Sequence, residues 1–250
     1  MKYARILFQD KVRYAVIEGD KARLIEGTVF DKFALTDEVY PLSSVRLLAP
    51  SEPSKVVCVG LNYAEHARET NMPVPDEPIF FIKPSTSVIG PGEAIIYPKM
   101  TKRMDYEAEL GAVIKKQMKN VSPAQVRNYL LGYTCLNDVT ARDLQRKDGQ
   151  WTRSKSFDTF CPIGPWVVND IDPNNVDIEL YLNGKRRQAS NTKEFVFKME
   201  DLLSFISRVL TLLPGDVVAT GTPSGIGPMK RGDQVEVRIQ GIGGLKNPVV

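Results

Sequence analysis

One histidine and three cysteines among 250 residues close off several chemistries at once. A single imidazole, His66, excludes a histidine-rich zinc site and any scheme that needs two imidazoles. Cys58, Cys135 and Cys161 are far apart and lie in apolar or turn contexts. They match neither a disulfide framework nor a zinc spacing, and are expected as reduced core thiols of a cytoplasmic protein. No apolar run approaches the ~20 residues that cross a bilayer. The opening segment, Met1 to Asp10, is interrupted by charge too early to serve as a secretory signal. Net charge is only +3, and the basic residues are scattered. Its densest clusters, Lys115-Lys116 and Lys185-Arg186-Arg187, read as exposed turns, so the basic stripe of a nucleic-acid-binding protein is missing. Neither nucleic acid nor a membrane is expected as a partner.

What is present is ordinary for a globular chain: 42% hydrophobic and 25% charged residues, enough for one sizeable core and a small appended module. Residues 1–50 read as a small N-terminal β module, with strands at Tyr3 to Phe8, Val12 to Ile17 and Ala22 to Glu26. Pro41 to Pro53, with three prolines and several serines, reads as a linker. Residues 51–250 form the main domain. Its expected strands are Lys55 to Gly60, Ile79 to Ile82, Tyr106 to Ile114, Leu131 to Asn137, Pro165 to Val168, Asp177 to Leu182, Asp216 to Thr220 and Gln234 to Ile239. Helices are few. One starts at Ser122-Pro123, a short one covers Tyr63 to Thr70, and the clearest spans Met199 to Leu213, stopping at Pro214-Gly215. Many strands, few helices and no regular strand–helix alternation predict a mainly β (α+β) fold with helices outside the sheets.

Three carboxylates dominate the chemistry. In the alternating run Asp105 to Ile114, Glu107 and Glu109 project from one strand face. Asp138 ends the neighbouring apolar run Tyr133 to Asp138. Two like charges held this close need a cation or a proton, and a third acid completes an all-oxygen set suited to a hard divalent ion. The same spacing also describes a solvated sheet face. His66 and Glu69, at i and i+3 of a short helix, can form a general base with its orienting carboxylate; an ordinary exposed helix pair has the same pattern. Lys155, between Trp151 and Phe157, can balance negative charge on substrate oxygens or stand as a plain surface cation. Gln145, seven residues beyond Asp138, shares its side if the segment is helical. Arg142 and Asp143 are assigned to local salt bridging. The glycines of Ala219 to Gly227 allow a loop whose N–H groups cradle an anion, or a structural tight turn.

The order of these segments carries more than any one of them. G-L-N-Y-A-E-H-A-R-E, F-I-K-P-S-T-S, D-Y-E-A-E-L-G, N-D-V-T-A-R-D-L-Q, W-T-R-S-K-S-F-D and T-G-T-P-S-G-I-G together resemble the fumarylacetoacetate hydrolase family, across about residues 55 to 240. The resemblance implies a mixed β-sandwich and β-roll, usually as a homodimer, with a Mg²⁺ or Mn²⁺ site (Ca²⁺ as a substitute) at Glu107, Glu109 and Asp138. It implies His66 and Glu69 as a water-activating dyad and Lys155 and Gln145 as substrate contacts. Thr222 would lie near the substrate carboxylate, and Asn71 to Pro78 would be the hinge of a lid. The expected activity is metal-dependent cleavage of a C–C bond in an acylpyruvate-type oxo acid. Decarboxylation of oxaloacetate, isomerisation of 2-hydroxyhepta-2,4-diene-1,7-dioate and non-catalytic oxo-acid binding are the alternatives.

Overall fold

The computed structural model describes all 250 residues. Strands dominate, and the helices are short and peripheral to the sheets, as the sequence predicts. The largest sheet runs from edge to edge through Phe33–Pro41, Lys21–Gly27, Lys11–Glu18, Lys2–Phe8, Cys161–Val168, Leu130–Asn137, Ala108–Ile114, Val217–Ala219, Lys55–Gly60 and Ile79–Pro84. A second sheet orders Lys185–Asn191, Asp177–Leu182, Gln234–Ile239 and Gly243–Pro248. A third, small sheet joins Thr140–Ala141, Met104–Tyr106 and Gly227–Met229.

Ala108–Ile114 is buried along its whole length because both of its edges are paired and both faces are covered. Ala108, Leu110, Ala112 and Ile114 enter one core with Ile178, Leu180, Val235 and Val237 of the second sheet. Val113, facing the other way, joins Val56, Cys58, Leu136 and Cys161. Alternation thus survives inside a strand that burial alone would not reveal as two-faced. All three cysteines are free and buried, as expected. No helix is long and apolar enough to cross a membrane.

The first 47 residues form an antiparallel extension of the large sheet. Lys2–Phe8 meets the rest at only two rungs, Lys2 with Val168 and Tyr3 with Val167, and its neighbours keep a separate six-residue core that includes Ile6, Ile17 and Leu24. The expected strands are present, but Phe33–Pro41 is an additional one. Its burial is too slight to impose an apolar alternation on the sequence. The stretch expected as a linker contains a turn, Leu42–Ser44, and a short strand, Arg46–Leu47, that pairs with Lys2–Phe8.

Two helix expectations change. The long helix spans Met199–Val209, four residues short of Leu213. Leu210 is extended, and Leu212 pairs with Met118 through backbone bonds of 2.8 and 3.0 Å. The apolar residues continue, but only Leu212 is buried, through its bridge to Met118, while Leu210 is half-buried and Leu213 exposed. Asp138 is not helical. Thr140–Ala141 is extended against Met104 and Asp105, and the helix begins only at Arg142, running to Asp148. Lys185, Arg186 and Arg187 are exposed as expected, but they lie on the strand Lys185–Asn191 rather than in a turn.

Candidate active site

The three acids meet because of strand register. Ala108 pairs with Asn137, so Glu107 and Asp138 form the next rung, where the Asp138 N–H donates to the Glu107 carbonyl at 2.9 Å. The Asn137 side chain closes this corner by accepting from the Glu107 N–H at 2.9 Å. Glu109 lies two residues on, on the same face. One carboxylate oxygen from each of Glu107, Glu109 and Asp138 falls within 4.8 Å of the others, and all three residues are buried. The solvated-face alternative is thereby excluded for this pair of glutamates.

The cluster is not evenly neutralised. Lys155 donates to Glu107 at 2.8 Å and to Asp138 at 2.6 Å. Arg142 bonds Glu107 and, at 2.9 Å, Asp105. Lys83 bonds Asp138 and the carbonyls of Val139 and Phe160. Glu109 has no cation, only the Gly221 N–H at 2.8 Å. Burial, followed by the charges of Asp138 and Glu107, holds the Glu109 carboxyl well above its ordinary range. Burial would raise Glu107 too, but Lys155 and Arg142 outweigh it and keep that group ionised far below the usual carboxylate range. Burial works against the Lys155 charge, yet Asp138 and Glu107 more than restore it, so the ammonium is held protonated. Three converging hard oxygen donors, one of them without an ion-pair partner, fit a divalent ion.

His66, on the helix Ala64–Glu69, is buried, with Nδ1 3.0 Å from Oε2 of Glu69. The other oxygen of Glu69 accepts from the Gly225 N–H at 3.0 Å. The glycine loop therefore cradles carboxylates, as its geometry suggests, but they are the chain's own: Glu69 and Glu109. Gly221 has φ +94°, and a Cβ there would meet Asn62 at 2.8 Å, so only glycine brings this N–H so close. Gly60 has a similar role, because a Cβ would sit 2.7 Å from the Trp151 ring that covers it.

All eight residues singled out from the sequence, His66, Glu69, Glu107, Glu109, Asp138, Gln145, Lys155 and Thr222, line one cavity of about 370 Å³. Asn71 and Met72, at the start of the expected lid hinge, line it as well. Gln145 arrives on the helix Arg142–Asp148 and accepts from Arg142 at 2.6 Å. Thr222 Oγ1 accepts from Gln188 at 2.9 Å. Lys155 is 2% exposed, which excludes a surface cation, and its ammonium lies 5.2 Å from the Phe81 ring centre.

Sequence reasoning misplaced or missed four residues. Arg142, assigned to local salt bridging, instead braces the centre through Asp105 and Glu107; Asp143 does stay local, bonding Thr101 and the Lys102 N–H. Lys83, fully buried, gave only the signal of a lysine inside the apolar run Ile79 to Pro84. Asp105, buried between Arg103 and Arg142, extends the two-residue acid spacing one step back. Gln188 bonds the Ala108 N–H at 3.0 Å as well as Thr222 and Pro223, and nothing local in the sequence marks it.

Known proteins share this sequence pattern and fold. Residues 55–250 match the family described as fumarylacetoacetate (FAA) hydrolase C-terminal, and residues 1–50 match the family Rv2993c-like, N-terminal. Oxaloacetate tautomerase Fahd2a, mitochondrial, of Rattus norvegicus is 45% identical over 222 residues, covering 84% of this chain and 71% of that protein. The crystal structure of 2-hydroxyhepta-2,4-diene-1,7-dioate isomerase from Mycobacterium marinum superposes with a TM-score of 0.94 at 44% identity, covering 100% of this chain and 98% of that one. The structure of 5-carboxymethyl-2-hydroxymuconate delta-isomerase from Mycobacterium smegmatis gives a TM-score of 0.94 at 45% identity, with coverage of 100% and 99%.

Proposed function

The chain belongs to the fumarylacetoacetate hydrolase family, and on that premise we propose that it is a divalent-metal-dependent enzyme that moves a proton at the carbon beside the oxo group of a 2-oxo acid. The observation that carries this reading is the convergence of Glu107, Glu109 and Asp138 within 4.8 Å, in the same cavity as His66.

Glu107, Glu109 and Asp138 would hold the ion, Mg²⁺ or Mn²⁺, with Ca²⁺ as a substitute. When bound, the ion supplies Lewis-acid polarisation of the substrate's carboxylate and 2-oxo oxygens. The remaining work falls to the chain. Glu69, accepting from Nδ1–H of His66, selects the tautomer whose Nε2 carries the lone pair. His66 takes a proton at Nε2 from the substrate carbon and returns it to another position, which interconverts tautomers or shifts a double bond. Lys155, held protonated by Asp138 and Glu107, stabilises negative charge on the substrate oxygens. Gln145 and Thr222 orient the substrate from the cavity wall. The tautomerase and isomerase relatives support this choice of reaction. Assembly as a homodimer belongs to the same proposal and is checked by light scattering.

A second reading follows from the dyad itself. A base whose free nitrogen serves a cavity of about 370 Å³ has room for water beside a small substrate. His66 then draws a proton from water, hydroxide attacks the distal C4 carbonyl of a 2,4-dioxo acid, and the C3–C4 bond breaks to give a carboxylic acid and the enolate of the 2-oxo acid, whose C3 takes the proton back from His66. Decarboxylation of oxaloacetate at the same centre needs no base.

The deciding experiment is a substrate panel on chelator-treated protein reconstituted with Mg²⁺ or Mn²⁺: oxaloacetate, 2-hydroxyhepta-2,4-diene-1,7-dioate and acylpyruvates. Ion-dependent tautomerisation or double-bond migration is expected. Turnover that survives ion removal overturns the proposal, and ion-dependent cleavage alone moves it to the hydrolytic reading. Binding of oxalate with Mg²⁺ but no turnover on any compound identifies a non-catalytic oxo-acid binder.

A further inference from the structure

The cavity's cations are not equivalent. Arg103 is spent on Asp105 through two bonds of 2.9 and 3.2 Å. Arg142 bonds Asp105, Glu107 and Gln145, and Lys155 bonds Glu107 and Asp138. Arg146 also lines the cavity and is exposed, yet its guanidinium makes no ion pair or hydrogen bond with the protein. It sits four residues beyond Arg142 on the helix Arg142–Asp148, so the two side chains share a face.

Length and charge agree on what this cation can receive. Four residues at 1.5 Å of rise, about 6 Å along the helix axis, separate the backbone of Arg146 from that of the arginine that touches Glu107. An extended carbon chain that begins beside Arg142 covers that offset in about five bonds at roughly 1.2 Å of advance each. The edge-to-face pair Phe81 and Trp151, 5.4 Å between ring centres, supplies an apolar wall in the same cavity. The lining holds four acids, Glu69, Glu107, Glu109 and Asp138, and four bases, Arg103, Arg142, Arg146 and Lys155. A divalent ion at the triad leaves two positive charges, which a dianion matches and a monoanion does not.

We propose that Arg146 is a specificity-determining residue that receives the second carboxylate of a dicarboxylic 2-oxo acid, about five bonds beyond the oxo carbon. This inference rests on the function proposed above. The guanidinium forms a two-point, charge-assisted bond with the distal carboxylate, while the 1-carboxylate and oxo group remain at the triad end.

The test is calorimetry on the Mn²⁺-loaded protein with two probes of equal length, 2-oxoheptanedioate and 2-oxoheptanoate. The wild type should bind the diacid at least about tenfold more tightly. Arg146→Gln should bring the ratio close to one, chiefly by weakening the diacid. Lys147→Gln, an equal change of net charge at an exposed residue outside the cavity lining, should leave the ratio in place. Equal affinities in the wild type, or a preference that persists in Arg146→Gln, overturns the assignment of Arg146 alone. Failure of both probes and of oxalate to bind with Mn²⁺ overturns the underlying function as well.

Discussion

The N-terminal strands and the carboxylate centre use the same residue types to opposite ends. In the former, Arg5 pairs with Glu52 at 2.6 Å and Arg23 with Glu18 at 3.2 Å, with at least one partner of each pair exposed to solvent. In the latter, Arg142, Lys83 and Lys155 share Asp105, Glu107 and Asp138, every one of them nearly or fully removed from water. An exposed pair contributes about 0–1 kcal/mol, because water replaces a lost partner. In the centre nothing replaces it, and breaking such a pair costs about 3–5 kcal/mol. A fold that needed only stability would fill this space with apolar side chains. Three acids in it, one lacking a cation, are intelligible as a site for a positively charged ligand.

The contrast can be tested from both sides, beginning with the largest effect. Glu109→Ala should abolish Mn²⁺ binding and turnover together, weakening calorimetric affinity by at least about 100-fold; ion binding at wild-type strength would remove Glu109 from the ligand set. In chelator-treated protein, Glu109→Gln should raise the thermal midpoint, since it removes a buried acid crowded by Asp138 and Glu107. His66→Ala should lower proton-transfer turnover by about 10²–10⁴ while leaving ion affinity intact. Retained decarboxylation of oxaloacetate in that variant would show two chemistries at one centre.

Lys83→Met should cost about 3 kcal/mol or more in urea unfolding by leaving Asp138 short of a cation in the core. A change below 1 kcal/mol would place Lys83 with the surface pairs. Alkaline pH should act on the buried groups next. Burial pushes the Cys161 thiol up to about 12, from an ordinary 9.0, and the Tyr14 hydroxyl to about 12, from 10.0. The folded state therefore keeps protons that the unfolded chain releases. Stability is complete below about pH 9 and falls as pH rises toward 12, as a pH series of thermal midpoints would show. Thiol reagents at pH 8 should leave all three cysteines unmodified until the protein unfolds. Arg23→Ala, on the N-terminal strands, should change stability by less than about 1 kcal/mol without altering turnover.

Much of this site is legible in the chain because its parts follow short periods. The i, i+2 spacing of Glu107 and Glu109 and the i, i+3 spacing of His66 and Glu69 survive into the fold unchanged. Residues whose partners are remote left weaker traces. Lys83 meets Asp138, 55 positions away, and Gln188 meets Ala108, 80 positions away. Arg142 seemed local only because Asp143 beside it is. Some elements had a local cue: Asn183 and Gly184, both with positive φ, form the two-residue turn that announces a hairpin and with it the strand Lys185–Asn191. Others had no local cue. Leu210 to Leu213 keep an apolar character compatible with helix, and the pairing of Leu212 with Met118 decides otherwise.

The sequence by itself determined the strand-rich class, the reduced thiols, the single imidazole and the identity of the three acids, because composition and periods of two and 3.6 residues are properties of short stretches. Tertiary structure alone decided that those acids share one corner, that Lys83, Lys155 and Arg142 neutralise two of them and leave Glu109 without a cation, and that Arg146 lines the cavity with its charge uncommitted. Those facts depend on register between strands and on exclusion of water, and neither exists until distant segments have packed together.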